Sequence, residues 1–590
     1  MHDMILDLIL GKCTEENFLS IADNDEACKY MGRQHGYRRC KVRRLSLQFN
    51  TEELDCTILT DGGAIPACLA SLRSLTIFGT KCTRGLVAIP LLLPFRYLRM
   101  LHVESDVQGN QLDLTVINQM IHLRYLKVSM GFSIESSGQT EIQLPSTICG
   151  LKHLETIEIS RTKPVKLPSD IVGLTRLLNL WVPKGSRLSD GAVRSKSLRT
   201  LGNVYLMDVD MMALGELNNL RELTLYCDEA AVAENDIANS NLGAFGPSIE
   251  KLRRLTQFVI DTNYGRFDDN DRLGKLSTFP RSIKVLQLEG WRFARVPRWL
   301  NGALYSLQAL WLDVLETSTD EVGVLGELPS LDYLELRVES ECRNGIMFGT
   351  SKGSFPALEF LYLDLEAGGD AVSQLGFQAG VMPKLWSLSV FFYLCESGNG
   401  TTPVGLEHLS SLRKINVDVM INVDVMITPR DEDPEEMDVM DDNDEETDVM
   451  DEYFEEMYAM ECAFRDAAQA HPNRPSFKFE CIDDEGDVTG RSPELSLLHL
   501  VQQIGPLTPK RTTAPRSGTA LLTGLPRLCA CARELCCCLL PLRCRRRAVL
   551  DTKQGGIIGG SRARAVPLGG GGSRAGVLSP LALKVIQTLH

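Results

Sequence analysis

Trp311 with Asp313, Tyr333 with Glu335 and Arg337, and Phe360 with Tyr362 stand at alternate positions in three successive segments, LQALWLDV, LDYLELRV and LEFLYL. Equivalent positions elsewhere hold Tyr125 and Lys127 in LRYLKV, Trp181 in LLNLWV, and Phe391 after LWSLSV. Successive side chains of an extended strand point to opposite faces, so if the leucines of these segments face a core, the other residues share one outward face. Aromatic rings and arginine on an open surface are the residue types that anchor protein interfaces. The chemistry on offer is therefore recognition of another protein. The plainer reading is that an irregular array shows scattered aromatics by chance, or covers them with its own inserted loops.

Bond-making chemistry finds no such constellation. The phosphate-loop pattern G-x-x-x-x-G-K-[ST] does not occur, nor do H-E-x-x-H or paired C-x-x-C motifs. The 9 histidines are dispersed singly, as surface or core residues would be. Cys529, Cys531, Cys536, Cys537, Cys538 and Cys544 lie in one basic stretch, but their spacing does not form the two separated pairs of a zinc knuckle. The sequence thus points to a non-enzymatic chain with no catalytic residue, no metal and no cofactor of its own.

The element that must position the outward residues is a repeat. Leu144 to Val182 contains two near-copies of L-P-S-x-I-x-G-L-x-x-L, in which Leu144, Ile148, Leu151, Leu154, Ile157 and Ile159 correspond to Leu167, Ile171, Leu174, Leu177, Leu180 and Val182. Such a period, with an L-x-x-L-x-L core, is the signature of leucine-rich repeats, each giving one short strand and a returning arm. Strand cores are expected at Leu45, Leu75, Leu101, Leu126, Ile157, Leu180, Leu201 and Leu223, at a degraded unit around Phe258, and at Leu286, Leu310, Leu334, Leu361, Leu388 and Ile415. The fold class is α/β, an irregular leucine-rich-repeat solenoid or horseshoe, with a short N-terminal helical remnant and a disordered C-terminal tail. A single unit cannot bury its apolar edge, so neighbouring units must stack.

Uneven spacing between cores requires insertions, of which Cys227 to Gly246 and Asp261 to Leu273 are the polar examples. The formal net charge of −15 is local in origin, since Asp431 to Glu456 holds 16 acidic residues and no basic one. That run reads as a disordered acidic insertion, 418–456, before a helix over Met460 to Ala470 and a strand at Phe477 to Phe479. The last hundred residues lean basic, with 15 Lys or Arg against three carboxylates. The expected domains are 1–40, opening on an amphipathic helix at Met1 to Leu10 with a short strand near Ile21; 41–483, the repeat array; and 484–590, a disordered Cys/Arg/Gly-rich tail. Specific nucleic-acid binding is not expected, because the basic tail lacks interleaved aromatics. The sequence also offers no secretory signal and no uninterrupted apolar run long enough to span a membrane. With cysteines mostly scattered singly, the expected compartment is the cytoplasm.

Met1-His2-Asp3 leading through MILDLILGKCTEENFLS to CKVRRLSLQ and the LPSTICGLKHLETIEIS units resembles the plant intracellular nucleotide-binding leucine-rich-repeat disease-resistance proteins, in the coiled-coil class found in grasses. The resemblance covers about residues 1 to 480, including the ending AAQAHPNRPSF. It implies that residues 1–40 are the winged-helix end of a nucleotide-binding module, with His2 and Asp3 matching the residues that help hold ADP. Lacking a phosphate cradle, this stretch is expected to bind ADP only with an upstream nucleotide-binding module. The repeats, by resemblance, recognise a pathogen effector or a guarded host protein in innate immunity and contact the nucleotide-binding module. The acidic insertion and the Cys/Arg tail depart from the family pattern. Two other readings are a cytosolic repeat scaffold or ubiquitin-ligase adaptor, and one part of an ADP/ATP-switched receptor.

Overall fold

The computed structural model describes residues 20–22, 42–49, 71–79, 95–105, 111–130, 141–188, 195–227, 243–262, 265–269, 272–339, 346–349, 354–367, 375–394, 403–421, 445–482 and 488–490. The helix expected at Met1 to Leu10, with His2 and Asp3, lies outside them, as do the centre of the acidic run and the tail beyond 490.

Every expected strand core lies on a strand, from Arg44–Phe49 through Gln257–Asp261 to Lys414–Ile421. Each pairs in parallel with the strand of the next unit, so Leu45, Leu75, Leu101, Leu126, Ile157 and Leu180 form one continuous row. This row is shut off from water: Leu101, Leu126, Ile157, Leu223, Leu286, Leu310 and Leu334 are all 0% exposed. Burying such a side chain contributes about 2 kcal/mol, and only stacking supplies the cover. The fold is therefore a parallel-strand solenoid, mostly sheet with few helices among the described residues.

The returning arms are short. In the duplicated unit they are the 3-10 turns Ile148–Gly150 and Ser169–Gly173, with Ile148 and Ile171 buried. Asp170 Oδ2 accepts a hydrogen bond from Cys149 N at 3.0 Å, tying one arm to the next. A Cβ on Gly173 would stand 2.7 Å from Cys149 Cβ, which is why the unit closes on glycine there.

The sheet continues past the expected array at both ends. Ser20–Ala22, assigned from sequence to the N-terminal remnant, pairs in parallel with the Leu45 strand. Ser476–Ile482 pairs in parallel with Lys414–Ile421 and carries Phe477, as expected. Val488–Gly490 adds an antiparallel pairing to it, so the tail expected to be disordered from 484 contains a strand. The acidic insertion 418–456 is likewise narrower than expected. Strand structure runs on to Ile421, and one helix extends over Glu445–Ala470 rather than starting at Met460.

That helix stops where AAQAHPN predicts. His471, 2% exposed, lies 3.2 Å through Nε2 from Leu409 O. Its Nδ1 accepts from Asn473 N at 3.0 Å, which leaves the Nε2 proton to donate to the carbonyl. Asn473 Nδ2 bonds Ser410 O at 2.6 Å, clamping the chain against the preceding repeat.

Candidate functional site: the outward strand face

Along the strands Ala309–Val314, Tyr333–Val338, Phe360–Ala367 and Ser387–Leu394 the register is unbroken, and it sorts the outward residues into three rows. Ala309, Tyr333, Phe360 and Ser387 form the first, and Trp311, Glu335, Tyr362 and Ser389 the second. Asp313, Arg337, Asp364 and Phe391 form the third. Trp311, Tyr333, Phe360 and Tyr362 are half-buried, as side chains standing on an open sheet are.

Their rings make a run across the strands. Trp311 and Tyr333 lie 4.6 Å apart between centroids, Tyr333 and Phe360 6.3 Å, and Phe360 meets Trp386 edge-on at 4.7 Å. These separations suit aromatic pairing. Tyr333 Oη donates to Glu335 Oε2 at 2.9 Å, and burial together with the Glu335 charge pushes its pKa up, keeping it a neutral donor. Trp386, 37% exposed, does not follow from strand alternation, because it sits one position before the alternating segment. An aromatic at the register otherwise held by Asp332 and Glu359 was the available signal.

The third row corrects the sequence reading. Asp313 is 4% exposed and Phe391 7%, while the Arg337 side chain is 14% exposed. For Asp313 the cause is an insertion in the preceding strand, Val285–Phe293, whose register against Ala309–Val314 jumps between Leu288 and Arg292. The extra residues fold over, and Gly290 N donates to Asp313 Oδ2 at 2.7 Å. Burial raises the Asp313 pKa from 3.8 to about 6, against the lowering pull of Arg337. Arg337 is held between carboxylates, 2.6 Å from Asp364 Oδ2 and 3.7 Å from Asp313 Oδ2. Phe391 lies between Asp364 and Asp418, on strands that each continue three residues beyond it.

In the first half of the array the expected residues are likewise engaged. Lys127 Nζ pairs with Glu158 Oε1 at 2.5 Å, and Tyr125 Oη donates to Glu158 Oε2 at 3.3 Å. Burial, then the Glu158 charge, raises the Tyr125 pKa. Trp181 is half-buried and lies against Gly202. Within the insertion expected as a polar loop at Asp261 to Leu273, one described residue is an anchor. Asp269, 4% exposed, accepts from Leu273 N, Gly274 N and Trp291 Nε1 at 2.8, 2.7 and 2.8 Å.

Among the described residues no cluster of three His, Cys, Asp or Glu side chains could hold a metal ion, and no helix is long and apolar enough to cross a membrane. The arrangement offers aromatic faces edged by carboxylates, held at fixed spacing by the stacked strands.

Residues 71–437 match the model of the leucine-rich repeat region family. Disease resistance protein RGA5 of Oryza sativa subsp. japonica is 30% identical over 427 residues, covering 70% of this chain and 35% of that protein. Disease resistance protein Pik-2 from the same plant is 25% identical over 378 residues, 56% of this chain and 33% of its own length. The chain thus spans about a third of the length of these curated relatives. Among solved structures, the Leptospira interrogans leucine-rich-repeat protein LIC12759 aligns with a TM-score of 0.42 and 18% identity, covering 67% of this chain and 93% of that one.

Proposed function

The chain belongs to the leucine-rich repeat region family, and from that premise we propose that it is a recognition component of plant innate immunity, acting in the cytoplasm by binding rather than by catalysis. Its relatives named as disease resistance proteins support the biological setting. The observation that carries the binding site is the ring run of half-buried Trp311, Tyr333 and Phe360 with exposed Trp386 on the outward face. A monomer gains little from leaving such rings in water, whereas a protein partner that covers them gains both area and specific ring contacts. The partner class is a protein, either a pathogen effector or a guarded host protein. Arg337, saturated by its carboxylates, is a support of this face and not a partner contact.

The test is expression of the full tagged chain in leaf tissue, comparing wild type with the Trp311→Ala, Tyr362→Ala, Trp386→Ala triple variant. Co-purified partners are identified, and pathogen growth is measured in parallel. The expected result is that the triple variant accumulates normally but loses both its specific partners and any resistance phenotype. An unchanged set of partners with an unchanged phenotype would remove this face from the proposal.

A further inference from the structure

A second surface lies where the first repeat strands begin, one position before the outward rows. Arg43, Arg73, Arg99 and Arg124 each stand immediately before one of four consecutive strands, at the same position, chained by backbone hydrogen bonds. Arg73 N donates to Arg43 O at 2.8 Å, Arg99 N to Arg73 O at 2.7 Å, and Arg124 N to Arg99 O at 2.8 Å. All four side chains are exposed. Adjacent strands stand about 4.8 Å apart, so the guanidinium groups form a column of one sign. Like charges directly across a sheet are destabilising, and among the described residues Arg43, Arg73 and Arg99 have no ion pair. Arg43, Arg73 and Arg99 thus add no ion pair to the described fold.

The fifth rung shows what the column accepts. Glu155 N donates to Arg124 O at 2.8 Å, and the Glu155 carboxylate pairs with Arg124 at 3.5 Å. Two residues upstream of Arg99, Arg124 and Glu155 runs a second column, Tyr97, His122 and His153. Tyr97 is 61% exposed and its ring is stacked on His122 at 6.1 Å and 9°, with His122 on His153 at 6.2 Å and 24°. These distances lie within the range of direct ring pairing, so His122 takes up one face of Tyr97, and the open face that remains is not the succession of platforms on which single-stranded bases stack. Exposed arginine beside exposed tyrosine is interface chemistry, and the complementary ligand is carboxylate.

We propose that the edge formed by Arg43, Arg73, Arg99 and Arg124, with Tyr97 beside it, docks an acidic polypeptide segment of a partner protein. This surface is separate from the ring run on the outward face, and either can fail without the other.

The experiment uses the full chain and a fluorescently labelled poly-L-glutamate peptide, with a charge-matched oligothymidylate as the second probe, read by anisotropy at low and moderate salt. The net charge of −15 is concentrated in Asp431 to Glu456 and the residues after 490 are basic, so the comparison between variants, which share both segments, isolates the column. The peptide is expected to bind in a salt-sensitive way, and the R43Q, R73Q, R99Q, R124Q variant to bind it roughly tenfold more weakly, as loss of several exposed pairs implies. Lysine at the same four positions should retain most of the binding, and R253Q with R254Q, further along the array, should leave it unchanged. Should the glutamine quadruple variant fail to fold by circular dichroism, R99Q alone is expected to weaken binding about twofold. Equal binding by the arginine variants and wild type overturns the proposal, as does tighter binding of the oligothymidylate than of the peptide.

Discussion

The indole of Trp181 lies against Gly202 on the adjacent strand so closely that a Cβ on Gly202 would stand 2.2 Å from Trp181 Cε3. The two residues share a register position, so the glycine is the floor on which the ring rests. Gly202→Ala forces the indole off this floor. The expected cost is about 1–3 kcal/mol, the range for overpacking, with a change in tryptophan fluorescence. Trp181→Ala should suppress the Gly202→Ala defect, and a double-mutant cycle by urea unfolding checks both.

Asp269 is the anchor of a loop that sequence marks only as polar. Its carboxylate satisfies three donors, Leu273 N, Gly274 N and Trp291 Nε1. Asp269→Ala leaves all three without a partner in a closed site, and each orphaned donor costs about 1–3 kcal/mol. The expected loss is therefore about 3 kcal/mol or more. Asp269→Asn should also be destabilising, since its amide would set a donor against one of these donors. Thermal unfolding of the two variants measures this directly.

The contrast between these two sites explains what sequence could and could not disclose. The core rows from Leu45 to Ile415 were legible because burial repeats with the unit, and a leucine at each core position has one physical meaning. The outward faces of Trp311 and Tyr362 followed from strand alternation. Asp313 obeyed the same alternation and is nevertheless buried, because Gly290 and its neighbours, an irregularity in the preceding strand, fold over it. Alternation sets the direction of a side chain, and it is blind to what a neighbouring repeat places above it. Trp386 escaped for the opposite reason: it precedes the alternating segment, so no periodicity drew attention to it.

Two buried titratable groups should bend the stability curve in opposite directions. Asp313 has a raised pKa, 3.8 to about 6, from burial. The folded state therefore holds the proton more tightly, and stability is lost as pH rises from about 4 to about 6. His102 has its pKa lowered from 6.5 to about 4 by burial and then by Lys127. The unfolded state binds that proton more tightly, so stability is gained as pH rises from about 4 to about 6.5. Each effect is on the order of 3 kcal/mol, and in the wild type they oppose. Asp313→Asn should make stability rise with pH across this window, and His102→Leu should make it fall. Urea midpoints at several pH values between these limits decide the matter, and parallel curves for all three proteins would contradict it.

Tyr362 and Phe391 separate the two roles of the outward side. They stand on neighbouring strands in adjacent rows, yet Tyr362 is half-buried while Phe391 is 7% exposed. Phe391→Ala removes a ring already covered by the protein, and the expected loss is about 3–5 kcal/mol of stability. Tyr362→Ala removes a ring whose cover is incomplete without a partner, so its stability cost should be clearly smaller and its effect on partner capture larger. Measuring unfolding midpoint and partner recovery for both variants tests the assignment. If Tyr362→Ala unfolds as readily as Phe391→Ala while partner recovery from the remaining folded protein is unchanged, the second row is part of the core and the face has no binding role there.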